Sequence, residues 1–217
     1  MEYRFYDEVL IPVRGVELKG ELIIPQRAKA IVIFSHGTGS SRLSPRNQKV
    51  AQQLHQHHFG TLLLDLLSEK EDANYANRFN IELLTRRLAG ATEWLEEQKA
   101  AKECSIGYFG ASTGAASALR AASYMPQVKA VVSRGGRPDL AEAYLSDVEC
   151  PTLLIVGSLD VDVLQLNETA FEKLNCEKKI KIIEGATHLF EEKGMLDKVA
   201  ELATSWFEKY LLKIHVT

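Results

Sequence analysis

The sequence lacks the features that would assign it to nucleic acid, to a membrane or to an export route. Its 26 Lys and Arg against 29 Asp and Glu give a formal net charge of −3, which leaves no basic footprint for a polyanion. No stretch approaches the ~20 apolar residues that cross a bilayer. The N-terminal segment carries acidic and aromatic residues where a signal peptide has an apolar core. We therefore expect a cytoplasmic protein that binds neither nucleic acid nor membrane.

Cysteine is scarce, and no residue cluster has the spacing of a metal site. Cys104, Cys150 and Cys176 are an odd number without zinc-type spacing, as expected of small apolar residues in a reducing compartment. The segment HQHHF, residues 55–59, ends a predicted helix with no carboxylate or cysteine at matching spacing. His215 is assigned to the C-terminal tail. The sequence therefore predicts no metal site.

Short apolar runs alternate with helical patterns along the chain. A β-hairpin turning at Arg14-Gly15 comes first. Near-continuous apolar runs, typical of strands buried on both faces, follow it. These runs are AIVIFS (30–35), TLLLDL (61–66), SIGYFG (105–110), KAVVSRGG (129–136), PTLLIVGS (151–158) and KKIKIIEG (178–185).

Helices are predicted between these runs. One begins at Pro45 behind the N-cap Ser44, and another behind the N-cap Asn80. Further helices are expected from about Ser112, Pro138, Asp162 and Met195, and the polar segment 67–78 is interpreted as a solvated loop. The alternation predicts one α/β domain over residues 1–217. Its sheet is doubly wound and mostly parallel, with helices on both faces and the hairpin as an antiparallel edge.

The candidate nucleophile is Ser112. Ligands of such sheets meet the loops at the carboxyl ends of the strands, and GASTG (110–114) matches G-x-S-x-G between a strand and a helix. A sharp strand-to-helix reversal strains the serine backbone and exposes its hydroxyl. The segment also resembles the glycine loop of short-chain dehydrogenases, but it lies mid-chain and no Tyr-x-x-x-Lys pair exists. A phosphate loop would need a Lys before the Ser or Thr, which is missing.

Two further candidates follow later strands. Asp160 comes directly after PTLLIVGS, and the rival carboxylate Asp162 is interpreted as a helix N-cap. His188 lies beyond the last strand, behind Gly185. The order serine, aspartate, histidine, each after its own strand, is the chain order of α/β-hydrolase triads. We therefore predict Ser112 as nucleophile, His188 as general base and Asp160 as the carboxylate that orients it.

The turn in FSHGTGSS (34–41) is the second candidate loop. Its Thr38 N–H, together with the Thr113 N–H behind the serine, is predicted to form an oxyanion hole. His36 and Gly37 follow the strand directly and are candidate substrate contacts.

Four arginines are predicted to border the same pocket: Arg42, Arg46, Arg134 and Arg137. Guanidinium groups bind carboxylate or phosphate in bidentate fashion, so these residues are candidates for holding an anionic substrate. The alternative is that they anchor loops through salt bridges. The acidic partners considered for that role are Asp139, Glu69 and Glu71.

These motifs in this order resemble the dienelactone hydrolase family of the α/β-hydrolase superfamily, nearly end to end. The resemblance implies an eight-stranded sheet whose second strand is antiparallel, and no large cap domain. It also implies hydrolysis of acyl esters without metal or organic cofactor. Family members use a cysteine nucleophile where Ser112 stands, so the expected activity is that of a serine carboxylesterase on a small ester. A thioesterase, a peptidase and a non-catalytic ligand-binding fold stay open as alternatives, and the sequence does not indicate the oligomeric state.

Overall fold

The computed structural model describes residues 2–212, so His215 lies outside the described residues. Its strands are β1 (Tyr3–Val13), β2 (Val16–Pro25), β3 (Ala30–Ser35), β4 (Gly60–Leu64), β5 (Ser105–Ala111), β6 (Val128–Arg134), β7 (Thr152–Gly157) and β8 (Lys178–Ile183). Its α-helices are α1 (Pro45–Gln56), α2 (Glu69–Asp72), α3 (Ile81–Glu97), α4 (Thr113–Ala122), α5 (Val161–Lys173) and α6 (Met195–Leu211). Two 3₁₀ segments cover Tyr75–Phe79 and Pro138–Asp147. No helix within residues 2–212 is long and apolar enough to cross a membrane.

All eight strands lie in one sheet, in the order β1-β2-β4-β3-β5-β6-β7-β8. β2 is antiparallel to both β1 and β4, and the remaining neighbours are parallel. The predicted mostly parallel sheet with an antiparallel hairpin at its edge is therefore confirmed. The parallel strands end on one side of the sheet, and their following loops carry the predicted site residues.

Helices cover both faces of the sheet and enclose two apolar clusters. α3, α4 and α5 pack on one face, where the cluster includes Leu88 and Leu119. α1 and α6 pack on the other, where it includes Val50 and Phe207. Burying each such side chain contributes about 1.5–3 kcal/mol, so the sheet that positions the site is a rigid support.

Local sequence signals explain three of the element boundaries. The Ser44 hydroxyl accepts a hydrogen bond from the Asn47 N–H at 3.4 Å, which caps α1 in front of Pro45. The Asn80 carboxamide oxygen caps α3 in the same way. Arg14 and Gly15 have positive φ angles of 47° and 83°, as a tight hairpin turn requires. These predicted boundaries are confirmed.

The segment 67–78 is not the plain solvated loop that the sequence predicted. Ser68 and Glu71 form a reciprocal capping box that begins α2. Glu71 also binds the guanidinium of Arg87, which is buried and donates to the Val13 carbonyl at 2.8 Å. The segment therefore also supplies the counter-charge for an arginine of α3.

Two predicted helices differ in the structure. The helix expected from Pro138 is a 3₁₀ segment interrupted at Ala141, where φ is −120°. The helix expected from Asp162 begins at Val161, with Asp160 at the N-cap position and Asp162 in the first turn. The N-cap interpretation of Asp162 was therefore wrong. Asp160 makes no capping hydrogen bond, because its carboxylate has another partner.

Acid should destabilise this fold through His55. The ring contacts the Thr61 hydroxyl at 2.7 Å, and burial lowers its pKa from 6.5 to about 4. A folded-state pKa below the unfolded value means that the unfolded chain binds more protons. Stability is therefore lost as the pH falls from 6.5 towards 4, by up to about 3 kcal/mol and less where solvent screens the ring.

We expect the His55→Gln variant to lose this part of the pH dependence. The measurement is the free energy of unfolding in urea at pH 7 and pH 4.5, with the His57→Gln variant as control, because His57 lies half exposed against Glu208. Equal losses between the two pH values in wild type and His55→Gln would contradict the prediction.

Candidate active site

Ser112 lies on a strained turn between β5 and α4. Its φ of 51° and ψ of −122° are unusual for a residue with a side chain. The flanking glycines are needed for close approach. A Cβ at Gly110 would lie 2.5 Å from the Cα of Ala115, and one at Gly114 would lie 2.1 Å from the Ser35 carbonyl oxygen. The turn therefore closes only with glycine at both positions.

The end of β6 holds the Ser112 backbone in place. Its N–H donates to the Arg134 carbonyl at 3.1 Å, and its carbonyl accepts from the N–H groups of Ala115 and Arg137 at 3.1 and 3.0 Å. The side chain is only partly buried. Backbone strain is thus stored where the hydroxyl meets solvent.

His188 and Asp160 form a close pair at the ends of two neighbouring strands. The His188 Nδ1 lies 2.6 Å from the Asp160 Oδ2, and the aspartate side chain is 16% exposed. Because a carboxylate only accepts, Nδ1 carries the proton, which leaves Nε2 as the acceptor of the neutral ring. The imidazole is therefore oriented to take a proton through Nε2.

Gly135, which no sequence motif indicated, lies between this pair and the strand end that holds Ser112. Gly135 has a φ of 51°, and a Cβ there would lie 3.2 Å from the His188 carbonyl oxygen and 3.4 Å from its Nδ1. Gly135 directly follows Arg134, whose carbonyl binds the Ser112 N–H. Within residues 2–212, Ser112 and His188 share no side-chain hydrogen bond, and such bonds are often long before substrate binds.

The turn after β3 lies against the nucleophile. A Cβ at Gly37 would lie 3.0 Å from that of Ser112. The Thr38 N–H, a predicted oxyanion donor, donates to the Thr113 hydroxyl at 2.8 Å. The Thr113 N–H is the first of α4 and has no acceptor in its own helix. The Thr113 N–H is thus at the N-terminus of a helix, and the Thr38 N–H is bound by the Thr113 hydroxyl.

His36 supports this turn from inside the protein. Its Nδ1 lies 3.0 Å from the Gly37 carbonyl, and its Nε2 accepts from the Leu66 N–H at 3.1 Å. Because Nε2 accepts from an N–H, the ring is neutral, and burial lowers its pKa. Both ring nitrogens are used within the protein, which leaves neither for the substrate contact that the sequence suggested.

The structure separates the four arginines. Arg42 binds Asp65 through its N–H and its guanidinium, at 2.8 and 3.0 Å. Arg137 forms a bidentate pair with Asp139, at 2.9 and 2.7 Å. Both contacts anchor loops, which was the alternative to substrate binding.

The other acidic residues bind elsewhere. Glu69 and Glu71, the remaining suggested partners, bind Lys19 and Arg87 instead.

The two other candidate arginines differ from each other. Arg46 contacts Glu191 at 2.9 Å. Arg134 has no acidic partner among the described residues.

Neither the cysteines nor the histidines of segment 55–59 form a second candidate site. Cys104, Cys150 and Cys176 are free thiols, and burial raises the pKa of each, to about 12 for Cys150. Thiols with raised pKa values are poor nucleophiles. Within the described chain, no three His, Cys, Asp or Glu side chains are grouped to hold a metal ion.

Known structures share this fold. A dienelactone hydrolase from Anabaena variabilis superposes with a TM-score of 0.94 at 50% identity, covering 97% of this chain and 100% of that chain. Est1E from Butyrivibrio proteoclasticus superposes with a TM-score of 0.80 at 15% identity, covering 93% and 98%. The architecture is therefore the α/β-hydrolase fold without a large cap domain.

Curated relatives and a family model extend the comparison. Two Mycobacterium tuberculosis proteins that carry the provisional name phosphoribosyl transferase are 49% identical over 206 residues, covering 94% of this chain and 46% of each relative. The chain thus spans about half the length of the curated relatives it matches. The model of the dienelactone hydrolase family matches residues 18–211. This chain therefore belongs to the dienelactone hydrolase family.

Proposed function

We propose that this chain is a cytoplasmic serine hydrolase that cleaves carboxylic ester bonds of a small molecule. The observation that carries the proposal is the 2.6 Å contact of His188 with Asp160, beside a serine on a strained strand-to-helix turn. This is the arrangement of a nucleophile, its base and the group that orients the base. Family membership supports the same reaction class.

The proposed reaction has two halves. The Ser112 Oγ attacks the ester carbonyl while the His188 Nε2 takes the hydroxyl proton. The imidazolium, stabilised by Asp160, then gives that proton to the departing alcohol, and an acyl-enzyme remains. In the second half His188 takes a proton from water, the hydroxide attacks the acyl group, and the proton returns to Ser112 as the acid leaves.

Backbone N–H groups are proposed to stabilise the oxyanion. The Thr113 N–H belongs to the free N-terminus of α4, where the helix dipole also favours negative charge. The Thr38 N–H donates to the Thr113 hydroxyl in the free protein. It becomes the second oxyanion donor when it leaves that hydroxyl and donates to the oxyanion. Each such donor typically contributes about 3 kcal/mol to transition-state stabilisation.

Serine hydrolysis fits this chain better than the cysteine chemistry of other family members. None of the three cysteines lies on the turn between β5 and α4, and burial raises the pKa of all three thiols. The hydrolase family model covers nearly all of the region that the longer mycobacterial relatives share with this chain, which favours hydrolysis over phosphoribosyl transfer for this region.

A substrate panel tests the proposal against the thioesterase, peptidase and binding-protein alternatives. We expect p-nitrophenyl esters of short acids to be turned over with a higher kcat/KM than matched acyl thioesters, and a p-nitroanilide amide not to be cleaved. Preference for the thioester would reassign the substrate class. No turnover of any member would support a binding fold.

A further inference from the structure

The guanidinium of Arg134 is buried without a counter-charge. The residue is 7% exposed, and its Nε is buried with no hydrogen-bond partner. Within residues 2–212, no hydrogen bond or ion pair reaches its terminal nitrogens. Charged side chains are rarely buried unless they are paired, so this arginine is an exception that needs an explanation.

Arg87 is a second buried arginine of this chain, and its contacts give it a structural role. It is equally buried, at 7% exposure, but it binds Glu71 and the Val13 carbonyl. Arg134 has no equivalent of either contact. The comparison indicates that the partner of Arg134 is not part of the described chain.

Arg134 lies beside the proposed nucleophile. It is the last residue of β6, its carbonyl binds the Ser112 N–H, and the next residue, Gly135, packs against His188. Side chains alternate between the faces of a strand, which places Arg134 on the same face as Val132. That face is covered by α1 and α6.

A second arginine lies close to it. Arg46, in the first turn of α1, contacts Glu191 three residues beyond His188, at 2.9 Å, and its Nε is also buried without a partner. Burial lowers the pKa of Arg134 to about 10, with the nearby charge of Arg46 as the further cause. Arg134 therefore stays charged at neutral pH. Among the described residues, the two guanidinium groups have one carboxylate between them, that of Glu191, which pairs with Arg46.

We propose that Arg134, assisted by Arg46, binds an oxyanion group of the substrate, a carboxylate or a phosphate, next to Ser112. The proposal rests on the proposed ester hydrolysis and names its substrate class: an ester whose acyl or alcohol part carries such a group. Guanidinium donors suit both groups because their fork matches two oxygens. Arg134 is a binding residue here and takes no part in proton transfer.

A charge-matched substrate pair tests specificity. We expect wild type to prefer p-nitrophenyl hemisuccinate over the neutral p-nitrophenyl butyrate, and Arg134→Met to lose at least about 10-fold of that preference through KM. The matched control is Arg137→Met, which removes an arginine already paired with Asp139. An unchanged preference in Arg134→Met would overturn the proposal.

Direct binding separates this inference from the proposed function. Calorimetric titration of wild type and Ser112→Ala with inorganic phosphate and with succinate should show binding of at least one, and the better ligand identifies the group. Binding should be lost in Arg134→Met. Anion binding without any ester turnover would support the anion site and reject the hydrolase proposal. Ester turnover with no binding of either anion would support the hydrolase proposal and reject the anion site.

Thermal unfolding of the same variants reports the cost of the unpaired charge. Without anion we expect Arg134→Met to melt at or above the wild-type temperature, because methionine fills a similar volume without a charge to bury. A fall of about 5 °C or more would mean that Arg134 stabilises the fold and would contradict the proposal.

Discussion

Replacing Ser112 with alanine should lower the kcat for a p-nitrophenyl ester by about 10³–10⁶-fold while leaving the protein folded. The expected loss is large because Ser112 Oγ is the atom that forms the acyl-enzyme. The fold should survive because alanine removes only the hydroxyl and keeps the backbone hydrogen bonds of residue 112 to Arg134, Ala115 and Arg137. Steady-state kinetics and thermal unfolding of purified protein measure the two effects.

The matched control is Ser146→Ala, which removes an exposed serine hydroxyl on the 3₁₀ segment before β7. Its turnover should equal that of wild type. Turnover by Ser112→Ala within 10-fold of wild type would remove the serine from the mechanism.

Asp160→Asn should lower kcat by about 10⁴-fold, and Asp162→Asn should leave it nearly unchanged. Only Asp160 contacts His188, at 2.6 Å, whereas Asp162 lies exposed in the first turn of α5. An amide at position 160 can donate to Nδ1, which would shift the ring proton to Nε2 and block proton uptake from the serine.

Each variant replaces one carboxylate oxygen by an amide nitrogen, and the two positions lie two residues apart. Each variant is therefore the control for the other. Steady-state kinetics from pH 6 to 9 measure both. Loss of activity in Asp162→Asn with activity retained in Asp160→Asn would mean that the wrong carboxylate was chosen.

Much of this fold could be predicted because its signals are local. Buried parallel strands appear as apolar runs, and the Ser44 and Asn80 caps mark two helix starts. α2 was missed although Ser68 and Glu71, three residues apart, form the local pattern of a capping box. The ion pair of Glu71 with Arg87 is a distant contact that no local pattern reveals.

Some residues of the candidate site could also be predicted from local signals, and one could not. Strand ends and chain order predicted Ser112, Asp160 and His188 as candidates. Gly135 was missed because its importance comes from the close approach of His188, 53 positions later in the numbering. A Gly-Gly pair directly after a strand was the signal that could have indicated it.

The arginines show where sequence reasoning stops. All four arginines lie at the carboxyl ends of strands or in the segments that follow them. Sequence position and residue type therefore do not separate them, and only their tertiary contacts do. Arg42 and Arg137 have carboxylate partners at hydrogen-bond distance, and Arg134 has none among residues 2–212. The difference between loop anchor and candidate anion site is therefore visible only in the folded chain.

The most direct test of the proposed chemistry is covalent labelling with a fluorophosphonate, followed by intact-protein and peptide mass spectrometry. An activated serine displaces fluoride and keeps the phosphonyl group, whereas ordinary serines react far more slowly. We expect one adduct per chain, on the peptide that contains Ser112, and no adduct in Ser112→Ala. An unlabelled wild type, or equal labelling of the Ser112→Ala variant, would contradict the assignment of Ser112 as the nucleophile.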